Sequence, residues 1–325
     1  MKRLLPLAGQ VKRSSSPLLS ICCVTYNHEA FIARAITSFL MQKVNFSVEI
    51  IIHDDASNDK TGLIISEFAL AYPGIIKAIV QSENQFSRGV NTMRYVREMA
   101  KGKYVALCEG DDYWGDDMKL AKQVQFLENN PSYVMAGHQV IPIDRDGRPI
   151  KKPFVSRLGS ILSSRKHACD LSPQELKELK VNVPTNCRLF RNIVIDYPAE
   201  IHAIGGDAIL QSVLGAHGSY KFLPDIKPSF YTKHSGGIWS SISQVNQRHK
   251  SLGHRLLLRT YYEQVNDMQT AQGLLKRYLF DSFRHLILDL IEFISQNPSK
   301  AKFYEDVTTK KWTRLSDGTG KGAIP

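Results

Sequence analysis

The sequence predicts an α/β fold built on a mostly parallel sheet, followed by a helical C-terminal region. Two observations carry the first part. Short β-rich apolar runs alternate with segments of helical periodicity over residues 18–130, and several of those runs end in a polar tip rich in Asp and Asn. Strands separated by single helices are joined by crossovers, which pair them parallel. A third observation predicts the rest: from Val245 onward long apolar faces recur at helical spacing, among them Leu256, Leu257 and Leu258, then Ile287, Leu290, Ile291 and Ile294.

The elements follow in order. Gln10 to Pro17 is basic and serine-rich and reads as a loose leader. Leu18 to Val24 is a buried strand, and Thr25-Tyr26-Asn27-His28 is the loop after it. Phe31 to Met41 is helical, with Phe31, Ile32, Ala35, Ile36, Phe39 and Leu40 on one face. Val48 to His53 is the second strand, ending in Asp54-Asp55-Ala56-Ser57-Asn58-Asp59. Thr61 to Tyr72 is a helix stopped by Pro73-Gly74, Ile75 to Val80 a strand, Asn91 to Ala100 a helix and Tyr104 to Cys108 the fourth strand. The alternation weakens after Leu127. Tyr133 to Ile143 reads as one strand, and Asp146-Gly147 turns the chain into an extended piece near Ile150 to Val155. Ser172 caps a helix with Pro173 at its first position. Cys187 to Phe190 is a short strand, Gly205-Gly206-Asp207 opens the helix Ala208 to Gly215, and Phe222–Pro224 and Ser229–Tyr231 are extended. The Gly- and Lys-rich tail after Trp312 is expected to be disordered.

The chain has 325 residues, 43% of them hydrophobic, ample for a buried core. Its net charge of +11 points to an anionic partner: nucleic acid, lipid headgroups or a phosphorylated small molecule. No Cys/His zinc spacing, RNP motif or long Lys/Arg run supports nucleic acid, which is set aside. The 5 cysteines, Cys22, Cys23, Cys108, Cys169 and Cys187, form no Cys-x-x-Cys pair and fit free thiols in a reducing compartment. The apolar run at the start stops by Gln10, short of a signal peptide, and no uncharged run approaches ~18 residues. The expectation is a cytoplasmic protein that touches a membrane at most peripherally, from its inner face.

The richest chemistry lies at the tip of the fourth strand, where Tyr104 to Cys108 ends in Glu109-Gly110-Asp111-Asp112. Neighbouring carboxylates repel one another unless solvent or a cation compensates them, and hard oxygen ligands of this kind suit Mg²⁺ or Mn²⁺ with phosphate oxygens completing the shell. An acidic turn leading into the next helix explains the same residues equally well. In open α/β sheets, ligands bind beyond the carboxyl ends of the strands, where Thr25-Tyr26-Asn27, Asp54-Asp55 and Glu109 to Asp112 all fall.

Taken in order, Ser20-Ile21-Cys22-Cys23-Val24-Thr25-Tyr26-Asn27, Ile51-Ile52-His53-Asp54-Asp55-Ala56-Ser57-Asn58-Asp59 and Lys103-Tyr104-Val105-Ala106-Leu107-Cys108-Glu109-Gly110-Asp111-Asp112-Tyr113-Trp114 resemble the family 2 glycosyltransferases. The resemblance is strong over 18–130 and runs in short motifs to about Ser240. It implies a GT-A-type, Rossmann-like three-layer sandwich and an inverting, metal-dependent hexosyltransferase that uses a nucleotide sugar with Mn²⁺ or Mg²⁺. The implied domains are a leader over 1–17, a transferase domain over 18–243 with a nucleotide-sugar half (18–130) and an acceptor half (131–243), a helical region over 244–312 and a tail over 313–325. Tyr26, between Thr25 and Asn27, matches the aromatic that stacks on the base. Asp54 matches the carboxylate that accepts from a uracil imide, which favours uridine, with thymidine and guanosine open. Glu109-Gly110-Asp111 aligns with the Asp-x-Asp motif, with Glu in place of the first Asp. Asp111 takes the metal, Glu109 lies near the ribose or the metal's waters, and Asp112 faces the donor sugar.

Asp207, in a segment resembling Glu-Asp-x-x-Leu with Gly206 for the Glu, matches the general base; an N-cap is the plainer reading of an aspartate opening a helix. Tyr231-Thr232-Lys233-His234-Ser235-Gly236-Gly237-Ile238-Trp239-Ser240 resembles a motif that follows the base in bacterial members. There His234 serves the metal or diphosphate, Lys233 replaces an Arg at the phosphates, and Gly236-Gly237 is a hinge. Arg94 falls near a donor-facing helix position, and His138 is structural. The implied partners are a nucleotide-sugar donor and a glycan or lipid-linked acceptor of cell-surface polysaccharide synthesis. Arg248, Lys250, Arg255, Arg259, Lys276, Arg277 and Arg284 form either a solvated face or a contact with an anionic membrane. Two rivals remain: a non-catalytic binding protein on a decayed transferase, and a sugar nucleotidyltransferase, against which the lack of a Gly-rich basic loop after the first strand argues.

Overall fold

The computed structural model of the protein describes residues 6–7, 16–150, 169–195, 206–237 and 242–296. Most of the leader, the extended piece past Ile150, Gly205, Ile238–Ser240 and the tail after Trp312 lie outside the described residues. Ten strands are described: β1 (Leu19–Thr25), β2 (Val48–Asp54), β3 (Ile76–Val80), β4 (Tyr104–Leu107), β5 (Tyr113–Trp114), β6 (Tyr133–Gly137), β7 (Val140–Ile143), β8 (Leu189–Arg191), β9 (Ser219–Phe222) and β10 (Ser229–Thr232). The helices are α1 (Ile32–Leu40), α2 (Thr61–Ala71), α3 (Thr92–Glu98), α4 (Lys119–Asn129), α5 (Pro173–Lys177), α6 (Asp207–Leu214), α7 (Gln244–Gln264) and α8 (Met268–Gln296).

The main sheet has seven strands in the order β3-β2-β1-β4-β8-β6-β9. β1 runs parallel to β2 and β4, and β2 to β3, as the strand–helix alternation predicts. Both faces are covered, so these strands are apolar on both sides rather than alternating. On β1, Ile21 and Cys23 pack into a core with Ile32, Ala35, Ile36, Phe39 and Leu40 of α1, Ile65 of α2, and Leu120 and Val124 of α4. Cys22, between them, faces the other layer with Val96 of α3, Leu176 of α5, and Leu210 and Leu214 of α6. The result is the three-layer α/β sandwich expected.

Two elements depart from the sequence reading. The single strand expected over 133–143 is two, and they belong to different sheets. β6 stays in the main sheet, whereas β7 joins β10 and β5 in a three-stranded sheet. The break falls at Gly137, where a Cβ would sit 2.6 Å from the Tyr220 hydroxyl. Beyond it His138 Nε2 lies 2.8 Å from Ser229 Oγ, which draws the chain across to β10; His138 is structural, as expected. The second departure is β8, which inserts antiparallel between β4 and β6. Three residues carry too little pattern for direction to be read from sequence.

By contacts, residues 1–151 with 163–278 make one compact unit, and 152–162 with 279–325 a second. Within the first, Ile209 and Val213 of α6 pack against Leu258 and Tyr262 of α7 and Ala271 and Leu274 of α8. In the second, the described residues belong to α8, where Leu279, Phe280, Phe283 and Leu286 are each more than half exposed.

Candidate active site

Main-chain hydrogen bonds bring three strand tips together. The Asp55 N–H donates to Thr25 O at 3.0 Å, and the Gly110 N–H to Val24 O at 2.9 Å. The loops after β1 and β2 then interlock. Asn27, at φ 55°, uses the left-handed region that Asn tolerates; its N–H donates to Ser57 Oγ and its Oδ1 accepts from the Asn58 N–H, both at 2.8 Å. The His28 N–H donates to Thr61 Oγ1 at 2.8 Å and the Glu29 N–H to Asp59 Oδ2 at 3.1 Å. Tyr26 is left 37% exposed, with its hydroxyl 3.4 Å from Asn58 Nδ2. A flat ring projecting from an otherwise fixed loop is suited to stacking.

Asp54 and Asp55 are both buried but differently used. Asp54 accepts from the Ser57 hydroxyl and, at 3.3 Å, from the Ser57 N–H, and burial raises its carboxyl above the ordinary range. Asp55 accepts the N–H groups of Gln85 and Phe86 at 2.7 and 3.0 Å, tying down the loop after β3.

The Glu109–Asp112 tip divides its work. Gly110 is obligatory, because a Cβ there would lie 2.7 Å from both Cβ and Oγ1 of Thr25. Burial, then the negative charges of Asp207 and Asp111, push the Glu109 carboxyl up to about 8. Asp112, expected to face the donor sugar, has both oxygens engaged within the protein. Oδ1 accepts the Thr232 N–H at 2.8 Å, and Oδ2 accepts Asn186 Nδ2 at 2.9 Å. Burial, then Asp111 and Glu109, drive its carboxyl well above the usual range. Asp112 thus ties the β4 tip to β10 two residues before His234.

Asp111 is the convergence point. His234 Nε2 lies 3.0 Å from its Oδ2, and His28 Nε2 lies 3.7 Å from the same oxygen. All three residues offer a ligand atom within 4.8 Å of the others. Burial is the main cause holding the His28 imidazole below its ordinary range, against the pull of Asp111. One carboxylate and two imidazoles suit a divalent first-row cation. Asp111 and His234 were legible in the sequence as a candidate metal pair; His28 was not.

Asp207 opens α6 as its first helical residue, with Gly206 in the cap position. Its carboxylate accepts the Thr185 hydroxyl, which lies in a short 3-10 turn before β8, so the N-cap reading does not describe it. Its main-chain carbonyl accepts Arg188 Nη1 at 2.8 Å, and Arg188 is fully buried. Tyr231 feels the same carboxylates: burial, then Asp112, Asp111, Glu109 and Asp207, raise its phenol above the ordinary range. Lys233 is exposed, and its N–H donates to Ile143 O at 2.8 Å. Arg94 pairs with Glu98 on its own helix at 2.6 Å. Thr185, Arg188, Tyr231 and His28 are the residues that sequence reasoning missed. The first two sit in a stretch without motif, and the last two sit inside motifs whose other members drew the assignments.

Residues 20–196, more than half of the chain, match Glycosyl transferase family 2. Over 226 residues the chain is 36% identical to an uncharacterized protein of Mycobacterium tuberculosis, covering 69% of this chain and 61% of that protein; it thus spans less than two thirds of that relative's length. Over 128 residues it is 30% identical to the Escherichia coli UDP-Glc:alpha-D-GlcNAc-diphosphoundecaprenol beta-1,3-glucosyltransferase WfaP, covering 39% of this chain and 48% of that one. Among solved structures, S. aureus TarS in complex with UDP-GlcNAc is similar with a TM-score of 0.55 at 17% identity, covering 82% of this chain and 72% of that chain. Mannosyltransferase PcManGT from Pyrobaculum calidifontis, in complex with GDP-Man and Mn²⁺, is similar with a TM-score of 0.51 at 14% identity, covering 91% and 84%. The fold is that of these GT-A transferases, and with more than half its length matched the chain belongs to glycosyl transferase family 2.

Proposed function

We propose that this glycosyltransferase moves a sugar from a nucleotide-diphosphate donor, with uridine the favoured base, to a hydroxyl of a glycan or lipid-linked acceptor, with inversion at the anomeric carbon. The observation that carries the reading is the Asp207 carboxylate. It is held by a side chain from another element, does not cap its own helix, and its negative charge raises the Glu109 carboxyl. A carboxylate so held is suited to act as a base.

The acceptor hydroxyl gives its proton to Asp207 as its oxygen bonds to the anomeric carbon. The bond from that carbon to the diphosphate breaks, and its electron pair leaves with the nucleoside diphosphate. A divalent cation, Mn²⁺ or Mg²⁺, held by Asp111 and His234 when bound, supplies positive charge against the departing diphosphate. Tyr26 stacks on the base, with Thr25 and Asn27 shaping the floor and Asp54 accepting from the imide. Glu109 lies toward the ribose, and Lys233 adds charge near the phosphates. Asp112 keeps Thr232, and through it His234, at the right height. The UDP-sugars named for TarS and WfaP support uridine, and WfaP's diphosphoundecaprenol acceptor supports a lipid-linked one. Mn²⁺ with PcManGT supports the metal.

Among the described residues no helix is long and apolar enough to cross a membrane. For the peripheral contact with an anionic inner membrane face we propose the stripe Leu279, Phe283 and Leu286 of α8, spaced as one helical face. Flotation with acidic liposomes tests it; no binding at low salt refutes it.

The deciding experiment is nucleotide binding and sugar transfer by the Asp207→Asn variant, with UDP, dTDP, GDP and CMP each titrated with and without Mn²⁺. Transfer is expected to fall by roughly 10²–10⁴-fold with nucleotide affinity kept. Loss of both together assigns Asp207 a structural role, and wild-type binding without turnover on any acceptor supports a decayed transferase.

A further inference from the structure

The His28 side chain is 11% exposed and stands beside the site, yet it has no hydrogen bond among the described residues. Its Nδ1 is buried without a partner, and its Nε2 is 3.7 Å from Asp111 Oδ2, beyond hydrogen-bonding distance. Buried polar groups are paired in nearly all folded proteins, so an orphan imidazole held beside a carboxylate needs an explanation. Loop flexibility does not provide one. The His28 N–H is anchored on Thr61, both neighbouring residues are tied to the β2 loop, and the ring lies edge-on to His234, with centroids 5.6 Å apart.

We infer that His28 is a third protein ligand of the cation, converting an oxygen-rich transferase site into one with two imidazole nitrogens and one carboxylate oxygen. The inference rests on the metal reading proposed above and concerns which residues hold the ion and which ion they select. Ligands about 2.1 Å from a first-row cation stand roughly 3.0 Å apart at right angles and about 3.4 Å apart in a tetrahedral arrangement. The observed separations from Asp111 Oδ2, 3.0 Å to His234 and 3.7 Å to His28, bracket those edges with little rearrangement. No neighbour fixes a proton on either His28 nitrogen, so Nε2 can yield its lone pair while the proton resides on Nδ1. Imidazole nitrogen binds Mn²⁺, Co²⁺ and Zn²⁺ in preference to Mg²⁺, which demands oxygen ligands and keeps its waters. The chain should therefore discriminate against Mg²⁺ more strongly than a site of carboxylates and water would.

The test is direct metal binding to the whole chain, by calorimetry with Mn²⁺, Co²⁺ and Mg²⁺ alone and then with UDP present. Wild type, His28→Ala, His28→Gln and Asp111→Asn are compared. Visible absorption of bound Co²⁺ reports nitrogen ligation. His28→Ala and His28→Gln are expected to weaken Mn²⁺ binding by about tenfold or more, narrow the Mn²⁺-over-Mg²⁺ preference and shift the Co²⁺ bands. Wild-type Mn²⁺ affinity and an unchanged Co²⁺ spectrum in either folded variant overturn the inference. The same holds if only UDP binding weakens, which makes His28 a diphosphate contact. If Asp111→Asn alone abolishes metal binding, the metal reading stands and the third ligand falls. If wild type binds no cation with or without UDP, both fall.

Discussion

Replacing Gly110 with Ala should damage the site more than it damages the fold. The new Cβ would stand 2.7 Å from Cβ and Oγ1 of Thr25 and 3.0 Å from Ile32 Cδ1. Ordinary van der Waals contact begins about 0.7 Å further out. Thr25 cannot give way easily, because it is 3% exposed, β-branched and the last residue of β1. The Gly110 N–H is fastened to Val24 O, so the strain goes forward into the residue that follows, Asp111. Overpacking of this kind costs about 1–3 kcal/mol of stability, and misplacing a reacting group by ~1 Å costs on the order of 10²-fold in rate. A urea melt, Mn²⁺–nucleotide titration and kcat measured on one preparation separate these effects. Gly74→Ala is the control, since a Cβ there meets nothing within 4 Å. A Gly110→Ala protein with wild-type stability and wild-type kcat would refute the view that a small residue at the centre of Glu-x-Asp is set by the tip of β1.

Two further outcomes are expected. Thr185→Val removes the hydroxyl that Asp207 accepts while keeping the side chain's shape; kcat should fall roughly tenfold or more with donor KM little changed, in line with about 1.5–3 kcal/mol for a hydrogen bond to a charged group. Thr185→Ser should recover most of the loss, and a change in KM alone would place Thr185 in donor binding instead. Lys119 is fully buried, with Nζ 2.9 Å from Gln123 Oε1 and 4.1 Å from the centre of the Trp114 ring, and burial lowers its ammonium to about 7. The unfolded chain holds that proton up to its ordinary pKa of 10.5, so the unfolded state binds more protons between the two values and stability should rise with pH across that window. The cost is full below pH 7 and of order 5 kcal/mol. Lys119→Met should remove the slope, and parallel stability curves for the two proteins from pH 7 to 10 would show that the folded protein holds the Lys119 proton as tightly as the unfolded chain and that burial does not lower its ammonium.

The strand tips were legible because a buried parallel strand announces itself locally. Tyr104 to Cys108 has no polar residue to place, so the acidic residues after it can only be a tip. The roles within that tip were not legible, because partners far along the chain decide them. Asp111 and Asp112 are adjacent and chemically identical. Asp112 is claimed by Asn186 and the Thr232 main chain, while Asp111 is left to two imidazoles. Nothing within ten residues of either distinguishes them. His28 was obscured for the same reason, since a histidine after Tyr-Asn is an ordinary loop residue until α1 and the β2 loop turn it toward Asp111. The run from Tyr133 to Ile143 misled in the opposite direction. Its apolar pattern is interrupted only at Gly137-His138-Gln139, and there Tyr220 crowds Gly137 and Ser229 draws His138 away, so one apparent strand serves two sheets. That split matters for the site. It carries β7 to β10, and β10 delivers Tyr231 and then His234 to the tip of β4. The segment with the least local signal therefore positions half of the candidate cation pair.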